Sequence, residues 1–179
     1  MATSVSIRPE VAGDQAQVFR IHAAAFPTAA EADLVDRLRD VVDDKVSLVA
    51  EIPGAVVGHI LFTPVTLRDG TSLHRAVGLA PMAVQPEHQR HGIGSQLVIA
   101  GLSACSQRGD SLVFVVGHPE FSPRFGFAPA APRGLHYIVE GFDAYLFVAE
   151  LQEGALEGKR GWVEYHPEFD KLNNEEDGP

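Results

Sequence analysis

The chain has 179 residues, 45% of them apolar, and a formal net charge of −10. That length suits one domain with a single sizeable core. The acidic balance argues against a nucleic-acid partner, and no apolar run is long enough to make a membrane partner.

Val5-Ser6-Ile7-Arg8-Pro9 alternates and ends at a proline, which suits an opening strand. Asp14 is placed to cap a helix carrying Val18, Ile21, His22 and Ala25 on one side, and Phe26-Pro27 breaks it. Glu31 to Val42 repeats the helical pattern through Leu34, Val35, Leu38, Val41 and Val42. Ser47–Ile52 reads as a strand and Pro53-Gly54 as a turn. Val56–Thr66 is a longer strand, turned by Arg68-Asp69-Gly70 towards Leu73. These segments form an antiparallel meander ending in the strand Leu79–Val84.

The stretch from Ala80 to Ser95 organises the rest. Pro81-Met82-Ala83-Val84 is short, apolar and bounded by Pro86, like a buried strand. A polar connection leads through Gln89-Arg90-His91-Gly92-Ile93-Gly94-Ser95 into a helix that opens at about Gly92. That helix carries Leu97, Val98, Leu102 and Cys105 at helical spacing, runs to about Gln107 and ends at Gly109. The first amides of a helix lack intrahelical partners and carry the positive end of its dipole, so a strand, a glycine turn and a helix N-terminus make an anion site. Gly92 and Gly94 let a phosphate approach the backbone, and Arg90 adds a charge.

Ser111–Gly117 is a near-continuous apolar strand of the kind buried on both faces. A strand, a crossover helix and a strand in this order imply a parallel pair. Further strands are expected near His136–Val139, Ala144–Glu150 and Gly161–Tyr165. One domain is expected over residues 1–170, with a disordered acidic tail over 171–179. Met1–Glu10 lacks the basic start and apolar core of a secretory leader, and a single cysteine fits a reducing cytoplasm.

Glycine spacing separates the classes of phosphate turn. A Walker A loop needs a lysine that this segment lacks. A dinucleotide fingerprint needs a third glycine where Leu97 stands. What remains is Gln-x-x-Gly-x-Gly, here Gln89, Gly92 and Gly94, after an apolar strand and a proline. That arrangement resembles motif A of the GNAT superfamily of N-acetyltransferases. Ala25-Phe26, Glu31-Ala32, Gly58–Phe62, Gly78–Val84, Gly117–Glu120 and Gly154–Leu156 more narrowly resemble the bacterial YhbS-like group.

The resemblance implies an α/β fold with a mixed, mostly antiparallel central sheet, a splayed parallel strand pair and helices on both faces. It implies acetyl-CoA as co-substrate and an N-acetyltransferase that moves the acetyl group to an amine by direct attack in a ternary complex. Met82, Ala83 and Val84 would bind the pantetheine arm and acetyl carbonyl through backbone groups. Arg90, His91, Gly92, Ile93, Gly94 and Ser95 would bind the pyrophosphate, and Gln89 of the same motif is a further cofactor-binding residue. The acceptor would be a small-molecule or peptide amine. Its identity, the acyl length and the oligomeric state, a homodimer included, stay open.

Many members of the superfamily protonate the departing thiolate with a tyrosine four residues before a Gly-Phe. Here that position, counted back from Gly126, is Ser122, a far weaker acid. Tyr137, Tyr145 or Tyr165 could reach in from another strand, or the thiolate could leave unaided. The candidate catalytic residues are His118, which follows the apolar fifth strand and titrates in the right range, and Glu120. Glu31 and Glu51 are further candidate bases, while His59 reads as a partly buried structural histidine. His88 and His91 are three apart with no further ligand set, so no metal is expected. Ser122 also keeps open a non-catalytic acyl-CoA-binding or regulatory module.

Overall fold

The computed structural model describes residues 3–117 and 122–175. Strand β1 (Ser6–Pro9) leads to helices α1 (Gln15–Ala25) and α2 (Ala30–Val41). Strands β2 (Val46–Ile52), β3 (Ala55–Asp69) and β4 (Ser72–Val84) follow. Helix α3 (Ile93–Gln107) crosses to β5 (Leu112–Val116), and β6 (Ala128–Pro129), β7 (Leu135–Tyr137), β8 (Leu146–Glu150), β9 (Gly161–Glu164) and α4 (Phe169–Glu175) complete the described chain. The strands form one mixed sheet in the order β1-β2-β3-β4-β5-β8-β6, with β9 bonded to β3 and β7. Pairing is antiparallel except for β4 with β5 and β7 with β9. The expected parallel pair is therefore present, and β4 is one continuous strand from Ser72 rather than a short segment from Leu79.

Two compact units interleave along the sequence. The first comprises Met1–Phe62, Pro81–Gly101 and Pro167–Pro179, and the second Thr63–Ala80 and Leu102–His166. In the first, helices cover both sheet faces. Val18 and Ile21 of α1 and Val35 of α2 pack with Val49, Val56 and Ala83 in one buried cluster. Gly58 and Gly94 face the other way: a Cβ on Gly58 would meet Leu97 and Ile93 of α3, and one on Gly94 would meet Met82 and Val84. A bulge makes this sorting work. The register advances one residue in β2, from Ala50 to Glu51, but two in β3, from Gly58 to Val56. Val57 is the extra residue, and it flips the alternation so that Val56 and His59 share a face.

In the second unit, β4 and β5 pair through Val77–Val113, Gly78–Phe114 and Leu79–Val115. Strand β5 is buried at Leu112, Val113, Phe114 and Val115, as its apolar run implies.

Two expectations are corrected. Asp14 precedes α1 but makes no side-chain cap. Its carboxylate is bound by Arg8 at 2.7 and 2.9 Å and by the Val11 amide at 2.8 Å, and these partners satisfy it better than one helix amide would. Residues 171–175 of the expected disordered tail are helical. Phe169 is buried, and Arg37 of α2 binds Glu168 at 2.7 Å, which anchors the start of α4.

Candidate functional site

Strand β4 ends where Pro86 opens a short 3-10 turn over Pro86–His88. The chain is tied down on both sides of it. The Gln85 amide donates to Val57 O at 2.8 Å, so the bulge in β3 receives the end of β4. Gln89 Nε2 donates to Val84 O at 3.0 Å and closes the loop back onto the strand. His91 Nδ1 lies 3.3 Å from His88 O, a weaker tie on the exposed side of the turn.

Beyond Gln89 the backbone is unusual. Arg90 has φ 64° and Gly92 φ 80°, and Arg90 is the sole non-glycine residue with positive φ among those described. A left-handed arginine costs on the order of 1 kcal/mol, and such strain concentrates at ligand sites. The first helical bond runs from Gln96 N to Gly92 O at 3.1 Å, which leaves the amides from Gly92 to Ser95 without intrahelical acceptors. Alternating left-handed and ordinary residues turn successive N–H groups towards one concavity, a nest for an anion.

The side chains sort by what they can do. Ile93 is buried, packs towards Gly58 and so offers only its amide to a ligand. Gly94 has ordinary backbone, and a Cβ there would meet only Met82 Cε at 3.7 Å and Val84 Cγ2 at 3.9 Å. Arg90 is exposed and is the one basic side chain, histidines aside, between Pro81 and Ser95. Met82 is half-buried, whereas Ala83 and Val84 are buried. All ten expected cofactor residues thus fall on one strand end and one helix start. The Gln89 side chain holds the loop through its bond to Val84 O.

The catalytic candidates fare unevenly. His118 and Glu120 lie outside the described residues, and Ser122 begins a 3-10 turn over Ser122–Phe125. Glu51 is paired with Arg8 at 2.8 Å, an arrangement that suits a structural carboxylate better than a base. Glu31 stands in the first turn of α2. His59 is fully rather than partly buried: it lies 2.8 Å from both His22 and Ser47, in a chain the sequence reading missed. The signal available was two histidines, His22 and His59, each on an apolar pattern.

Of the tyrosines, Tyr165 is buried and donates its hydroxyl to Phe114 O at 3.1 Å. Burial, then the neighbouring Tyr137, pushes its pKa well above the ordinary phenol value, which makes it a weaker proton donor than a free tyrosine. Its ring also fills the space over Gly78, where a Cβ would come within 2.6 Å of it. Tyr137 is buried and stacked edge-on against Tyr165. Tyr145 is 46% exposed, and its carbonyl accepts the Gly117 amide at 2.9 Å, so this is the tyrosine held beside the end of β5. Tyr165→Phe should therefore cost about 1 kcal/mol of stability and leave the rate–pH profile unchanged. A lost alkaline limb in that variant would restore Tyr165 as an acid.

Among the described residues, no helix is long and apolar enough to cross a membrane, and no three His, Cys, Asp or Glu side chains gather in a metal-binding group.

The sequence model described as an acetyltransferase (GNAT) domain matches residues 6–130. The chain therefore belongs to the GNAT acetyltransferase family, which makes it an acyltransferase by class. It is 35% identical over 167 residues to the uncharacterized N-acetyltransferase YhbS of Escherichia coli strain K12, covering 93% of this chain and 99% of that protein. The crystal structure of E. coli YhbS in complex with CoA matches with a TM-score of 0.88 at 33% identity, over 95% of this chain and 94% of that one. A GNAT family acetyltransferase from Brucella melitensis, solved in complex with acetyl-CoA, gives 0.76 at 30% identity, over 94% of this chain and 100% of that one. The expected family, the YhbS likeness and the mixed sheet are borne out together.

Proposed function

We propose that residues 1–170 act as one cytoplasmic N-acetyltransferase domain that moves an acetyl group from acetyl-CoA to a small-molecule or peptide amine by direct attack. The observation that carries this reading is the turn Gln89–Ser95, with left-handed backbone at Arg90 and Gly92 opening into α3. Pyrophosphate sits on the amides of residues 90–95, with Arg90 adding a charge-assisted bond. Backbone groups of Met82, Ala83 and Val84 bond the pantetheine arm and polarise the thioester carbonyl. The CoA and acetyl-CoA held by the two similar crystal structures support this choice of co-substrate.

In the reaction, the neutral amine nitrogen attacks the carbonyl carbon, and the tetrahedral intermediate collapses by breaking the carbon–sulfur bond. One amine proton leaves to a base, for which His118 or Glu120 is the proposal, and the thiolate takes a proton in turn. Ala at His118 should lower the rate mainly below the amine's pKa. An unchanged pH profile would remove that residue from the mechanism.

Ser122 at the tyrosine position favours a second reading, a CoA-binding module without chemistry. Calorimetric titration with acetyl-CoA, CoA and ATP, then thiol release against an amine panel, separates the two. Amine-dependent thiol release establishes the enzyme, and CoA binding without turnover establishes the module. Failure to bind CoA would overturn both.

A further inference from the structure

A chain of hydrogen bonds runs through the first unit and joins five segments. Arg39 of α2 donates from Nη2 to Glu10 Oε1 at 2.6 Å, and from Nη1 to Asp36 at 2.5 Å. The Ser47 hydroxyl of β2 donates to Glu10 Oε2 at 2.5 Å. His59 Nε2 of β3 lies 2.8 Å from Ser47 Oγ, and His59 Nδ1 lies 2.8 Å from His22 Nε2 of α1. Both imidazoles are 0% exposed.

The direction of every bond is determined. Glu10, paired with Arg39, is a carboxylate and only accepts. The single Ser47 proton goes to it, so Ser47 accepts from His59 Nε2–H. The neutral His59 ring then offers Nδ1 as acceptor, and His22 must donate Nε2–H. His22 Nδ1 is left as a buried lone pair with no hydrogen-bond partner among the described residues, and the Phe26 ring is stacked on the imidazole 6.1 Å away.

We propose that this chain is a proton-operated latch that holds α1 and α2 on the sheet behind Ala83, closed while both histidines are neutral and released by acid. A further proton leaves the closed chain with an unmet buried group. On His59 Nδ1 it turns His22 to its other tautomer, with Nε2 accepting and a buried Nδ1–H that has no acceptor among the described residues, and on His22 Nδ1 it makes a cation with nothing to bond. The charged groups around the rings do not reverse this. Glu10 and the more distant Asp14 favour protonated His59, but burial, first, and Arg39 oppose it, and burial holds both rings below the ordinary histidine range. Once released, both rings take up protons below about pH 6.5, so the opening constant rises as pH falls, by up to about a hundredfold per pH unit.

The consequence for ligand binding rests on the reading of Met82–Val84 as the cofactor strand end. Ala83 packs in the cluster formed by Val18, Ile21 and Val35, so release of the helices removes its backing.

Hydrogen exchange on the full chain between pH 7 and 5 tests the latch, with acetyl-CoA titrated at each pH. Protection of the α1 amides should fall by more than tenfold and up to about a hundredfold per pH unit below 6.5, ahead of the β5 amides. His22→Gln keeps a donor for His59 Nδ1 but cannot titrate, and should reduce the slope to about tenfold per unit. Imidazole NMR of the wild type at pH 7 should show both rings as neutral Nε2–H tautomers, a readout that stands if the variant does not fold. Joint loss of protection in α1 and β5, an unaltered slope in His22→Gln, or either folded-state ring titrating near pH 6.5 would overturn the latch. Absent acetyl-CoA binding at pH 7 would overturn the proposed function alone, since the exchange and tautomer results do not depend on it.

Discussion

Gly94→Leu is expected to weaken CoA binding by more than about a hundredfold, about 2.7 kcal/mol, with little change in thermal stability. Helical side chains tilt towards the N-terminus, so a leucine at this position overhangs the amides from Gly92 to Ser95. The fold can accept a Cβ here, because Gly94 has ordinary backbone and that Cβ would sit at van der Waals distance from Met82 and Val84. Gly94→Ala should fold normally and lose little affinity for the same reason. Gly92→Ala should behave differently, since φ 80° costs a residue with a Cβ about 1–2 kcal/mol and strains the turn itself. Calorimetry paired with thermal unfolding separates the three. Full CoA affinity in Gly94→Leu would refute the cradle.

Glu10→Ala should destabilise the protein by about 3–5 kcal/mol, the cost of stripping one partner from a buried charge pair. The Glu10 and Arg39 side chains are only 8% and 14% exposed. Acid should act through the same residues. Burial pushes the Glu10 carboxyl up, but His59 (once acid charges that ring), Ser47 and Arg39 more than offset this and hold it at about 2. Its contribution is therefore present above the ordinary glutamate value and lost as pH falls towards 2. Burial, reinforced by His59 and Arg39 against Glu10, lowers His22 to about 3. The unfolded chain binds that proton from about pH 6.5 downwards, so His22 alone removes about 1.4 kcal/mol per pH unit between 6.5 and 3. Both effects have the same sign. Urea unfolding at pH 7, 5.5 and 4.5 would show the decline, and equal stability at all three would contradict the neutral burial of His22.

What was legible in the sequence was local. Apolar Met82–Val84, then Pro86, then the spaced glycines specify a strand, a stop and a helix start within fifteen or so residues, and β4, the turn and α3 follow that pattern. The latch was illegible because its members stand far apart and look ordinary singly: Glu10 after a strand, His22 on an apolar helix side, Ser47 at a strand start. Asp14 and the tail misled for one reason, that tertiary ion pairs with Arg8 and between Arg37 and Glu168 outweigh local preference. His118 and Glu120, candidate bases from their position after the apolar fifth strand, lie outside the described residues.

The Val57 bulge bears on how this part of the chain can vary through evolution. One surplus residue lets β3 present Val56 and His59 to α1 and α2 while Gly58 meets α3, and its carbonyl fastens the end of β4. A substitution at Val57 alters one side chain. A deletion there would exchange the faces of everything before it and leave Gln85 without its acceptor. Residue number in this strand is thus constrained more tightly than residue kind, and related chains should differ here by replacement rather than by insertion or loss.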